Sequence, residues 1–120
     1  MSEAPFNVRL RLNDGIKRVE PDISIICDKS KLTEKGCEGA PDLIVEVVSP
    51  SNRMHDYLTK VNWYKQSGVK EYWIVDHIRK QILVYDFMKD DVIQHTFNDS
   101  IIVGIWDEGF EIDFKSIEIE

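Results

Sequence analysis

Long apolar runs are missing from this chain. None approaches the ~18 residues that a membrane-spanning helix requires, so no membrane partner is expected. The opening MSEAPFNVRL has no basic stretch followed by an apolar one, so no secretory signal is read and a cytoplasmic location is expected. Cysteine is scarce, with only Cys27 and Cys37. Ten residues apart and without a second pair, they do not make a zinc framework, and free thiols in a reducing compartment are expected. Positive charge is in deficit: 15 Lys and Arg stand against 22 Asp and Glu, a formal net of -7. A globally basic surface for nucleic acid is therefore excluded. There is no HExxH pair, no GxSxG elbow and no phosphate-binding glycine loop. His55, His77 and His95 are scattered without ligand spacing. Repeats, low-complexity tracts and Pro/Gly/Ser linkers are absent. With 120 residues, 42% apolar and 31% charged, the composition is that of one globular domain over residues 1–120.

The acidity is uneven. Residues 86–120 hold ten acids against Lys89 and Lys115, so the first two-thirds of the chain is close to neutral. An acidic tail of this kind is read first as a solvated face.

The order of elements follows from apolar period and turn chemistry. FNVRLRL (6–12) alternates like a half-buried strand. Asn13, Asp14 and Gly15 make a hairpin turn, and the chain returns through Ile16–Val19 into a second strand at 21–27. Residues 28–41 read as a polar loop. DLIVEVV (42–48) is apolar almost throughout, which predicts a central strand buried on both faces. Ser49 to Asn52 offer caps for a helix over 53–67. Met54, Tyr57, Leu58, Val61 and Tyr64 form its apolar stripe, and Gly68 ends it. EYWIVD (71–76) and QILVYDF (81–87) predict two strands around a turn, with weaker strands near 92–97, 101–106 and 110–114. The expected fold class is α/β (mixed α+β), with a mixed sheet, one packed helix and a short β tail. Cys27 reads as a small core residue, and Trp63, Trp73 and Trp106 as packing residues.

Glu46 is the residue that carries chemistry. A carboxylate inside LIVEVV is costly to bury unless it is paired or binds a cation. Asp42 lies four residues earlier and shares its strand face. Asp22 begins the preceding strand. If the two strands pair, three carboxylates converge as hard oxygen ligands for Mg²⁺ or Mn²⁺. The bland alternative has Glu46 facing solvent or an arginine. Asp56, Lys60 and Tyr64 recur at i, i+4 and i+8 along one helix edge, from which Lys60 could reach Glu46. A surface ion pair between Asp56 and Lys60 is the alternative there.

Taken together, VEPDISIICD (19–28), GAPDLIVEVVSPS (39–51), the spaced Asp56, Lys60 and Tyr64, and GVKEYWIVD (68–76) resemble the Uma-two family. These bacterial proteins share the restriction-endonuclease-like fold of the PD-(D/E)xK superfamily. The resemblance runs over about residues 5–114, nearly the whole chain. It implies that Asp22 is the first acid and Glu46 the second. The superfamily's lysine is expected two residues beyond the second acid, where this chain has Val48. The resemblance implies that Lys60, on the following helix, supplies it. Asp42 is then an accessory metal ligand, and Ser49 and Asp56 support the site. Family members usually carry a helical segment before the first strand, often with a glutamate. This chain begins almost at that strand, and Glu3 is a poor replacement.

The expected function is metal-dependent hydrolysis of DNA phosphodiester bonds. Asp22, Glu46 and Lys60 would be catalytic, and Asp22, Asp42 and Glu46 would hold Mg²⁺ or Mn²⁺. Lys29, Lys31, Lys35, Arg53 and Lys65 are candidate phosphate contacts. The alternative is a non-catalytic dimerisation or interaction module derived from the nuclease fold. A single helix to cover the sheet, with the front segment missing, leads to the expectation of a homodimer.

Overall fold

The computed structural model describes residues 7–48, 54–102 and 111–113, with side chains at 7–48 and 57–101. The helix caps at Ser49–Asn52, Arg53, the Met54 and Asp56 side chains, Glu3 and Trp106 lie outside the described residues.

Strands β1 (Asn7–Leu12) and β2 (Gly15–Val19) pair antiparallel across Asn13 and Asp14. Leu12 faces Gly15, whose φ of 132° lets the turn close directly into β2. The second strand expected at 21–27 is shorter: β3 spans Ile23–Ile25 and belongs to another sheet. Cys27 is correspondingly exposed rather than in the core.

The stretch read as a loop contains β4 (Leu32–Thr33) and β5 (Gly36–Glu38). β5 pairs parallel with β1 and antiparallel with β4, giving a mixed four-stranded sheet in the order β2-β1-β5-β4. Gly36 is required there, because a Cβ would collide with the Asn7 carbonyl and φ is 152°.

The second mixed sheet has the order β3-β6-β7-β8-β9. Its centre is β6 (Leu43–Val48) parallel to β7 (Glu71–Asp76), joined through helix α1 (Met54–Ser67). Parallel neighbours need such a crossover. β8 (Gln81–Asp86) and β9 (Asp91–Thr96) follow as hairpins. Asp76 and Asp86 each accept two backbone N–H bonds that shape the turns. β10 (Ser100–Ile102) and β11 (Glu111–Asp113) pair antiparallel.

α1 ends where Gly68 takes φ 104° and Val69 N–H bonds the Tyr64 carbonyl, a Schellman stop. Tyr64 is buried in the stripe and Tyr57 and Val61 half-buried, but Leu58 is 52% exposed and leaves the stripe.

At β6 and β7 both faces of the five-stranded sheet are covered, which explains the unbroken apolar runs of these strands. On one face Ile44, Val48, Tyr72 and Ile74 pack with Tyr64 of α1 and with Val8, Leu10 and Val19 of the other sheet. On the other, Leu43, Val45, Trp73, Val75, Ile82 and Val84 pack with Phe97 and Ile101. No helix among the described residues is long and apolar enough to cross a membrane.

Candidate active site

β6 alternates its side chains, so Ile44, Glu46 and Val48 face α1. Glu46 is 6% exposed, and its burial is compensated in full view of the helix. Lys60 Nζ stands 3.1 Å from Oε2 and 3.4 Å from Oε1. The Tyr64 hydroxyl donates to Oε1 at 2.9 Å, and the Tyr72 hydroxyl donates to Oε2 at 3.1 Å. Lys60 and Tyr64 meet one carboxylate because i and i+4 share a helix face. Tyr72 arrives from β7, where it pairs with Ile44. Burial first, then the Glu46 charge, pushes both phenols well above their ordinary range. They therefore remain donors at working pH. Their rings meet edge-on, with centroids 4.6 Å apart.

Asp22 follows Pro21 just before β3. β3 pairs antiparallel with β6, Ile23 facing Val45. One more residue of that register sets Asp22 across from Glu46, and cross-strand partners share a face. The Asp22 Oδ2 accepts Val47 N–H at 2.7 Å, so the side chain takes over the ladder where the strand pairing stops. The Asp22 charge also helps to raise the Tyr64 phenol.

Asp42 does not join them. It stands just before β6, and four residues of extended chain separate it from Glu46 by about 13 Å. Its Oδ2 accepts Cys27 N–H at 2.6 Å and its Oδ1 lies 3.6 Å from Lys70 Nζ. Burial opposes the Asp42 charge, but the Cys27 bond and Lys70 outweigh it and hold the carboxyl below its usual range. Asp42 is a lock between β3 and the start of β6.

No group of three His, Cys, Asp or Glu residues gathers among the described residues. Asp22 and Glu46 are the two hard carboxylates that could hold a cation here. That fits Mg²⁺ or Mn²⁺ better than a softer metal, because Mg²⁺ keeps most of its water and takes one or two carboxylates plus phosphate oxygens. Sequence reasoning missed Tyr72. The signal was its parity with Ile74, which places it on the Glu46 face.

The expected phosphate contacts are also rearranged. Lys31 Nζ donates to the Ala40 carbonyl and Lys65 pairs with Asp90 at 2.7 Å. Lys29 is exposed on a single 3₁₀ turn, and Lys35 lines a small cavity against β1.

The fold is similar to the crystal structure of a "putative nuclease belonging to DUF820" from Anabaena variabilis ATCC 29413. The TM-score is 0.69 at 19% identity, over 92% of this chain and 64% of that one. The chain therefore spans somewhat less than two-thirds of that protein. No curated protein matches the sequence. The family model described as "Uma2: Putative restriction endonuclease" matches residues 3–111. With that match over nearly the whole length, the chain belongs to the Uma2 family.

Proposed function

We propose that this protein is a metal-dependent endonuclease that hydrolyses DNA phosphodiester bonds with Asp22, Glu46 and Lys60. One observation carries the reading: a helix lysine lies 3.1 Å from a buried strand carboxylate, although Val48 occupies the place where a strand lysine would stand. Asp22 and Glu46 would hold Mg²⁺ or Mn²⁺, which would supply a Lewis acid for the phosphate and an acidified water. Tyr64 and Tyr72 fix the Glu46 carboxylate in one orientation. The Val47 N–H fixes Asp22. The Lys60 side chain is about one-third exposed, so its ammonium reaches both Glu46 and an incoming phosphate oxygen. There it stabilises the charge that builds up in the transition state.

Nicking of supercoiled plasmid in Mg²⁺ or Mn²⁺ tests this. Asp22→Asn and Lys60→Ala should each lower the rate by about a hundredfold or more, and EDTA should abolish it. Undiminished nicking by both variants would refute the assignment.

A second reading has one observation in its favour. Glu46 already accepts from three protein donors, so the site is electrostatically complete without an ion. A non-catalytic interaction module would show neither nicking nor a melting response to Mn²⁺.

A further inference from the structure

A cavity of about 540 Å³ opens beside Lys60, lined by Asn7, Arg18, Val19, Glu20, Lys60 and Trp63. We infer that it binds one unpaired nucleotide, the neighbour of the phosphate under attack. Its volume lies within the range of small-molecule sites, and its lining divides into the three chemistries a nucleotide needs. Trp63 supplies an aromatic platform. It is half-buried against the core, and Lys17 Nζ stands 5.6 Å from its ring centroid. Stacking on such a ring tolerates any base. Arg18 and Lys60 supply cations for phosphate. Arg18 is exposed and makes no ion pair among the described residues. Asn7 and Glu20 supply acceptors for a base amino group. A smaller cavity of about 160 Å³ shares Asn7 and Arg18 and adds Arg9, Lys35 and Glu38; Arg9 is paired with Glu38 at 3.3 Å, so Arg18 and Lys35 are the cations left there for the next phosphate. The surface of an acidic protein is thus locally basic along β1 and β2. A base reaches the indole only when it is out of the duplex, so the pocket selects single-stranded or frayed substrate.

The position next to the scissile phosphate rests on the proposed nuclease reading; the pocket itself does not. The test is a titration of the full chain with dCMP in EDTA, following the indole N–H resonances. The Trp63 signal should shift and saturate, and dCMP should bind at least about fivefold tighter than deoxyribose 5-phosphate. Arg18→Ala should weaken dCMP about tenfold. Trp63→Leu should abolish the preference for the base. Because Trp63 also packs on the core, the exposed Arg18 variant is the independent arm. Equal binding of the abasic sugar phosphate, an unmoved Trp63 signal, or an Arg18 variant that binds like wild type would each overturn the inference. Plasmid nicking with no dCMP binding would remove the pocket and leave the active site. Binding without nicking would do the reverse.

Discussion

Glu46 has three donors on one carboxylate, and this decides the effect of neutralising it. If the site were only a cluster of repelling acids, Glu46→Gln would leave the fold intact or slightly firmer. The observed partners reverse that sign. A glutamine amide would turn its own N–H groups toward a phenol or an ammonium and lose the charged bond to Lys60. Glu46→Gln should therefore destabilise the protein by about 1–3 kcal/mol, read as a lower urea midpoint at unchanged m-value. An equal or higher midpoint would show that Lys60, Tyr64 and Tyr72 do not hold Glu46 in solution. The same logic gives Asp42 a pH dependence. Its carboxyl is held below the usual range in the folded state. The stability it contributes is thus present above the unfolded value near 4 and is lost as pH falls through the lower folded value. Between pH 5 and 2, wild type should lose more stability than Asp42→Asn. Parallel acid curves for the two would remove Asp42 as a contributor.

Among the elements, β5 shows most clearly where local sequence stops being informative. Gly36→Ala should cost about 2 kcal/mol or more, since the new methyl meets backbone at Asn7 and φ is positive. A melting temperature unchanged by that substitution would mean that β1 and β5 do not pair. GCE carries no apolar alternation, and its partner β1 is some thirty residues back, so nothing nearby marks it as a strand. The same holds for LT at β4. By contrast β6, α1, β7 and β8 were legible, because burial on both faces writes long apolar runs and Gly68 punctuates the helix. For the site, the strand parity of Glu46 and the Lys60 edge of the helix could be read directly. The partners of Asp42 could not: it lies just before β6, and its carboxylate is engaged by the Cys27 N–H and Lys70 rather than turned to the site of Glu46.

At the scale of the molecule, the expected dimer was argued from an uncovered sheet face. At β6 and β7, Phe97 and Ile101 cover one face and α1 with the four-stranded sheet the other, so the motive is confined to β9. Among the described residues an edge stays open. β9 is last in the sheet order, and its Val92 and Ile93 are each 49% exposed. A two-fold pairing of β9 with its copy is the form a homodimer would take. Light scattering at micromolar concentration should then give twice 14.0 kDa, and a charge placed at Ile93 should return it to the monomer. A monomer from the outset would refute the pairing. The other edge, β3, has a consequence of a different kind. It is only three residues long, and Ile23 is 51% exposed, so it is the part of the sheet most readily lifted away. Asp22 would leave with it, while Glu46, Tyr72 and β8 stayed closed. The two carboxylates thus lie on either side of a seam between a three-residue edge strand and a buried interior. Amide exchange should reveal it: the Val47 N–H, held by Asp22, should exchange through this partial opening well before the Ile74 N–H in β7, and a divalent ion clasped across the seam should slow the first far more than the second.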